Sequence, residues 1–340
     1  MLAHRLALRM SRPSPWYRSF SIITLGVAPM LSACAPIAGL DEHLPYVGFP
    51  DSLSVPCSDG TTFVDCESVR NTIPQDGHFA MAQPSFQVSG NEVIDSITGL
   101  TWYRLPGEPQ IYETATKYCD VLPGDYRLPT RIELVSLLDF RADSPARIDQ
   151  DVFPDIEPAP YWTSSAYGTD AFAYWSVNFC AGCPSDPPLL SRHALGNAGA
   201  FCVKSEGEPF AVGPFEIAGE ENRFVRDTRT GLMWMKQVPE TGDIWVDAAD
   251  TCLKALDGGY GDFRLPNTKE LATLVDEKKS NNGGSALHDV FEVGSNRMLW
   301  SSTPTRAGNA FFHLNVAGGS AGIMLGASGY LFPLCVRGPD

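Results

Sequence analysis

Gly124-Asp125-Tyr126-Arg127-Leu128-Pro129-Thr130-Arg131-Ile132-Glu133-Leu134 returns later in the chain as Gly261-Asp262-Phe263-Arg264-Leu265-Pro266-Asn267-Thr268-Lys269-Glu270-Leu271. In each copy an aromatic, strand-like step runs through Leu-Pro into a helix start. Thr130 and Asn267 are N-cap residues by type, and Glu133 and Glu270 stand three positions on. Thr130 with Glu133 fits the capping box, in which side chains satisfy first-turn amides that the helix leaves unpaired. Leu134, Leu137 and Leu138 follow at helical spacing, as do Leu271, Leu274 and Val275. Each copy predicts a sharply started helix with one apolar face.

The similarity extends outward from this stretch. Upstream, Asp95-Ser96-Ile97-Thr98-Gly99-Leu100-Thr101-Trp102 matches Asp227-Thr228-Arg229-Thr230-Gly231-Leu232-Met233-Trp234. Downstream, Asp151-Val152-Phe153 matches Asp289-Val290-Phe291, and Tyr161-Trp162-Thr163-Ser164-Ser165 matches Leu299-Trp300-Ser301-Ser302-Thr303. Cys119 and Cys202 match Cys252 and Cys335, with 83 residues between partners in both copies. The offset between copies drifts while the anchor points stay in order, so loops have changed length. The chain is a tandem duplication of a unit of about 125 residues, an ordinary domain size. The expected domains are 84–207 and 208–340.

The 340 residues are 44% hydrophobic and 11% aromatic, ordinary globular material, with a net charge of −15. An acidic surface repels phosphate and sulfate polymers, which argues against nucleic acid as a partner. The first 33 residues hold Arg5, Arg9, Arg12 and Arg18, no acid, and an apolar run from Phe20 to Met30. That is the layout of a signal peptide, too short for a spanning helix. It ends in Leu31-Ser32-Ala33-Cys34, which resembles a bacterial lipobox. The expectation is a lipoprotein acylated at Cys34 and held on a membrane by its acyl chains. An ordinary signal peptide with an incidental cysteine is the alternative. Ala35, rather than Asp, favours the outer membrane of a Gram-negative envelope. Nothing after residue 33 is apolar enough, for long enough, to span a bilayer.

Residues 34–83, rich in Pro, Asp and Ser, read as an exposed stalk or linker. Cys57 and Cys66 enclose a turn-like Ser-Asp-Gly-Thr-Thr and predict a local disulfide; the acids there are too few for a calcium loop. Setting Cys34 aside leaves eight cysteines, an even number that a secreted chain oxidises. Their repeated positions predict Cys119–Cys202 and Cys252–Cys335, each joining a first helix to a last strand. Cys180-Ala181-Gly182-Cys183 has no counterpart in the second copy. Redox exchange wants such a motif at a helix start, and zinc wants a second ligand pair, so a local disulfide is preferred.

Each copy reads as a first strand (Phe86-Gln87-Val88 or Phe215-Glu216-Ile217), a hairpin turning at Asp95–Gly99 or Asp227–Gly231, and the Trp102 or Trp234 strand. The cysteine-bearing helix, the capped helix, two or three strands and a closing cysteine strand follow. This is α+β, with two helices against a small antiparallel sheet whose first and last strands pair.

The combination Asp-x-x-Thr-Gly-Leu-x-Trp, helix cysteine, Arg-Leu-Pro-x-x-x-Glu-Leu, Tyr/Leu-Trp-x-Ser and closing Cys-Val-Arg/Lys resembles the Lcl C-terminal domain. That bacterial family is named after a collagen-like adhesin and is otherwise largely of unknown function. The resemblance covers about residues 84–206 and 213–339. The Arg-Leu-Pro-Thr-x-x-Glu piece is also similar to one in formylglycine-generating enzymes, and the helix-to-last-strand disulfide is similar to the long bridge of C-type lectin domains. Together these imply two tandem C-type-lectin-like domains.

Signals for chemistry are sparse. The six histidines form no metal-spaced pair, and no nucleophile elbow, phosphate loop or dinucleotide fingerprint occurs. No cofactor and no metal are expected. Arg127 and Arg264 either bind an anion or, preferably, tie a helix to a loop, with Asp139 and Asp276 as candidate partners. Trp102, Trp162, Trp234 and Trp300 suit a core by their repetition; Trp175 and Trp245 are less symmetric and are the weak candidates for surface binding. Calcium-site lectin motifs are missing, and Asn178 and Asn315 lack a neighbouring acid. The resulting expectation is a non-enzymatic surface lipoprotein with two recognition or adhesion domains for a glycan or protein partner. Because the chain is acidic, a glycan ligand would be neutral. A structural envelope or appendage component, with oligomerisation left open, is the alternative, and an enzyme of formylglycine-generating ancestry is a third reading.

Overall fold

The computed structural model describes residues 52, 57–75, 78, 84–141, 145–181, 188–194, 196–206, 213–255, 260–279 and 284–338. The leader, Cys34 and Cys183 lie outside them. An N-terminal block holds β1 (Cys57–Ser58), β2 (Phe63–Val64) and α1 (Cys66–Val69). The first repeat runs β3 (Phe86–Ser89), β4 (Glu92–Asp95), β5 (Thr101–Tyr103), β6 (Gly107–Gln110), α2 (Tyr112–Asp120), α3 (Arg131–Ser136), β7 (Pro160–Ala166), β8 (Tyr174–Asn178), β9 (Leu190–His193), β10 (Ala198–Ala200) and β11 (Val203–Lys204). The second runs β12 (Phe215–Ala218), β13 (Phe224–Asp227), β14 (Met233–Met235), α4 (Trp245–Leu253), α5 (Thr268–Thr273), β15 (Met298–Pro304), β16 (Ala310–Asn315), β17 (Ala321–Leu325) and β18 (Val336–Arg337). The architecture is mostly sheet with a few short helices.

The Asp-x-x-Thr-Gly motif makes the first hairpin. Asp95 Oδ1 accepts from the Ile97 amide at 2.9 Å, and its Oδ2 accepts from the Thr98 hydroxyl at 2.7 Å. Asp227 Oδ1 accepts from the Arg229 amide at 2.9 Å in the same way. Gly99 and Gly231 both close the turn at φ 70, a backbone state that glycine adopts at no steric cost. On the following strands Trp102 and Trp234 are buried, and these strands pair with the closing strands, Val203 opposite Trp102 and Val336 opposite Trp234. The sheet orders are β11-β5-β4-β3 and β12-β13-β14-β18. The closing strand therefore joins the tryptophan strand, not the first strand as the sequence led us to expect. The tryptophan strand offers it the buried side of the hairpin, whereas the first strand lies at the sheet's outer edge.

The remaining strands of both repeats form one eight-stranded sheet, ordered β15-β16-β17-β9-β8-β7-β10-β6. The join is the antiparallel contact of the third strand of each meander, Ala321 of β17 opposite Leu190 of β9. The arrangement is quasi-symmetric. Gly199 pairs parallel with Tyr161 in the first repeat, as Phe332 does with Leu299 in the second. Both repeats lie in one compact unit spanning 43–340, and one core cluster contains Trp102, Leu134 and Trp175 together with Trp234, Leu271 and Leu314.

Helices α3 and α5 meet at the centre of this core, and all six residues of each are buried. The expectation of one apolar face is corrected here. The helices are covered on every side because sheet lies behind them and the other repeat lies in front. Their polar residues survive burial by bonding across the repeat boundary. Lys269 Nζ donates to the Ser136 carbonyl at 2.8 Å, and Arg131 Nε donates to Glu277 at 3.0 Å.

Residues 57–75, read from sequence as part of an exposed stalk, instead pack on the second repeat. Cys57, Val69 and Ile73 share a core cluster with Trp245, Phe263 and Phe311. The Ser58 hydroxyl donates to the Gly308 carbonyl at 2.5 Å. Their apolar residues are few and polar residues surround them, so no local period announced the packing. Among the described residues no helix is long and apolar enough to cross a membrane.

Candidate functional site

The arginines, cap residues, capping glutamates and tryptophans of the repeated motifs are engaged within the fold. Arg127 forms a two-pronged pair with Glu133, Nη1 to Oε2 at 2.8 Å and Nη2 to Oε1 at 2.7 Å, and also reaches the Leu128 carbonyl at 3.2 Å. Arg264 and Glu270 repeat it at 2.8 and 2.7 Å. The same glutamates close the capping boxes, accepting from the Thr130 and Asn267 amides at 2.7 Å. Each arginine is thus tied to its helix start through the capping glutamate. The partners suggested from sequence are otherwise occupied. Asp139 pairs with Arg141, and Asp276 accepts from the Lys278 amide. The capping glutamate wins because it lies within the first turn and both its oxygens face the arginine fork while Oε2 also accepts the cap amide.

The Trp-x-Ser-Ser/Thr motif completes the same start. Ser165 Oγ accepts from the Arg131 amide at 2.9 Å, and Thr303 Oγ1 accepts from the Thr268 amide at 3.0 Å. Trp162 Nε1 donates to the Gln110 carbonyl at 2.7 Å, and Trp300 Nε1 to that of Asp243 at 2.9 Å. Asn178 and Asn315 accept from nearby backbone amides.

Trp175 and Trp245, the weak surface candidates, are both 0% exposed. Trp175 lies under the Arg131 guanidinium and against Tyr167. Trp245 stacks on Phe311 with ring centroids 3.6 Å apart and donates to the Ser301 carbonyl at 2.8 Å. Neither can stack on a ligand. Asymmetry between copies reflected different core packing, not exposure.

The described cystines are Cys57–Cys66, Cys119–Cys202 and Cys252–Cys335. Cys180 is also disulfide-bonded. Cys57, Cys66 and His78 lie close enough to suggest a metal site, but both sulfurs are in the disulfide. The His78 ring is engaged as well, with Nδ1 accepting from the Gln75 amide at 3.1 Å and Nε2 against the Cys66 carbonyl at 2.5 Å. The other described histidines are partly buried. Burial lowers the pKa of His193 and His288, and that of His313 to about 4.

Among the described residues two open grooves stand out, one in each repeat, and their linings overlap at equivalent positions. With Trp102 aligned on Trp234, Leu105 corresponds to Gln237. The first repeat's groove, about 450 Å³, has Gly107, Tyr161 and Gly199 as its floor and prolines with Glu108, Asp155 and Glu157 on its walls. A Cβ on Gly199 would lie 2.4 Å from the Tyr161 ring, so glycine is what lets that ring lie across the floor. Burial pushes the Tyr161 hydroxyl up to about 12, and it accepts from the Glu157 amide at 2.9 Å.

The second repeat's groove, about 360 Å³, is lined by Glu221, Asn222, Arg223, Met235, Lys236, Gln237 and Glu292. Lys236 Nζ and Gln237 Nε2 hold the two oxygens of Glu292 at 2.6 and 2.5 Å, and these bonds lower the pKa of its carboxyl. Sequence patterns did not single out either groove, because both are built from the parts in which the copies differ. The departure from the repeat was the available signal.

The family model described as the Lcl C-terminal domain matches the chain in two segments, residues 91–192 and 223–337. No curated protein matches the chain, and no solved structure does.

Proposed function

The chain belongs to the Lcl C-terminal domain family, matched once in each repeat, and from that premise we propose that it is a non-catalytic surface lipoprotein whose paired repeats recognise a glycan or protein partner. One observation carries this reading. Most of the residues that define the repeat are consumed by caps, turns and core, while the open grooves, which overlap at equivalent positions, differ in chemistry. A scaffold that keeps its frame and varies its grooves is what recognition requires. Acylation of Cys34 would anchor the chain, on the outer membrane by the residue that follows. A C-type-lectin-like fold for each repeat is supported by the bridge from α2 or α4 to the closing strand segment. An enzyme of formylglycine-generating ancestry needs reactive thiols, and the bridging of all four repeated cysteines argues against it.

The test is the soluble chain from residue 35 on an array of glycans and surface proteins, with and without calcium. Specific binding is expected. No binding across the array, together with a stable oligomer in solution, would move the assignment to a structural envelope role. Palmitate labelling of the full chain, lost in Cys34→Ala, checks the anchor.

A further inference from the structure

We infer that the groove of the second repeat is the ligand site, and that it takes a neutral, hydroxyl-rich ligand, a saccharide of one or two rings. This rests on the recognition reading above and names its ligand class and its residues.

The groove exists because the second repeat departs from the first. The β3–β4 hairpin turns through residues 90–91 alone, whereas the β12–β13 hairpin takes residues 219–223. The added length brings in Glu221 and Asn222 at φ 58 and 56, the only non-glycine residues with positive φ among those described. Such a conformation is uncommon for side-chain-bearing residues, and both residues line the groove. Facing it, Gln237 and Glu292 stand where the first repeat has Leu105 and, after the matching Val-Phe step, Pro154. Neither first-repeat residue has a side chain able to form hydrogen bonds.

The chemistry of the lining selects the ligand. Arg223 and Lys236 are balanced by Glu221 and Glu292, so the groove has no net charge with which to attract a polyanion or a polycation. It offers closely spaced donors and acceptors instead. Glu292 is fixed by Lys236 and Gln237, and each of its oxygens keeps a further lone pair for a hydroxyl donor. The Asn222 side chain makes no hydrogen bond among the described residues, leaving an amide that both donates and accepts. Groups already held in place lose little entropy on binding, which favours a small polar ligand. Vicinal hydroxyls on a ring match that spacing of donors and acceptors. Met235 supplies an apolar surface for the ring's C–H face.

The experiment uses the soluble chain from residue 35 on an array of neutral oligosaccharides of glucose, galactose, mannose and N-acetylglucosamine, with heparin as the anionic probe and a surface-protein array in parallel. Hits are titrated by calorimetry. Binding to a neutral oligosaccharide is expected, weakened at least about tenfold by Glu292→Ala, which removes the acceptor, and by Gln237→Leu, which releases it from its fixed position. Glu108→Ala, in the other groove, leaves it unchanged. Asn222→Gly tolerates the positive φ and removes only the amide, so it carries the test if another variant misfolds. Neutral-glycan binding that survives these substitutions, or preference for heparin, overturns the inference. Binding to a protein alone also overturns it and leaves the recognition reading standing. No binding to any probe overturns both.

Discussion

Arg131 of the first repeat is enclosed by the second: its Nε donates to Glu277 at 3.0 Å, its Nη2 to the Val275 carbonyl at 3.3 Å, and its side chain is 2% exposed. A guanidinium at that depth must keep its partners, because an uncompensated buried charge is costly. Burial lowers its pKa and Glu277 opposes that shift.

The two members of this pair will therefore differ on substitution. Glu277→Ala strands the buried cation and is expected to cost roughly 3–5 kcal/mol. Arg131→Met removes the charge with its desolvation cost and leaves only a partly exposed carboxylate, so its loss is smaller. Urea unfolding of the oxidised chain measures both; equal losses would contradict a desolvation-dominated site.

Arg264 is more deeply buried than its counterpart Arg127, 6% against 32% exposed, while both paired glutamates are buried. Arg264→Ala leaves Glu270 without its fork inside the core and is expected to destabilise by roughly 3 kcal/mol or more. Arg127→Ala is expected to cost less, because water reaches that site. Reversal of this order in denaturant titrations would mean that exposure does not set the cost.

Thr303 and Ser165 each accept from the first amide of a buried helix. Thr303→Val keeps shape but orphans the Thr268 N–H, at a cost of about 1–3 kcal/mol. Thr303→Ser restores the acceptor and recovers most of it. The comparison of the two midpoints isolates the hydroxyl from packing.

His313 faces Trp300 and Gly322 across its neighbouring strands, and burial lowers its pKa to about 4. The folded state thus holds it neutral where the unfolded chain, with a histidine pKa near 6.5, takes up a proton. Its contribution is full above about pH 6.5, declines as pH falls towards about 4, and is worth roughly 3 kcal/mol over that window. Unfolding measured at several pH values should show His313→Gln flattening the decline between pH 6.5 and 4. A parallel decline in the variant would assign it to other groups.

Local features were legible because their causes lie within a few residues. Thr130 and Glu133 meet across one helical turn, and Asp95 and Thr98 across one hairpin turn. The cystines were legible for a different reason: duplication displays the same separation twice. Trp175 and Trp245 were misread because a single side chain carries no record of what covers it. The partner of Arg127 was misread because sequence spacing does not reveal that a capping glutamate can also present both oxygens to an arginine six residues before it.

The sequence alone determined the duplication, the capped helix starts, the hairpin turns and membership of the family, all through contacts between near neighbours or through repetition. Only the tertiary structure decided that β9 meets β17 to merge the repeats into one sheet, that residues 57–75 complete the second core, and that the grooves lie where the copies diverge. Period and propensity fix which face of a strand or helix is apolar. Which distant face covers it depends on the shapes and unpaired edges of every other element, and those are set only when the chain has folded.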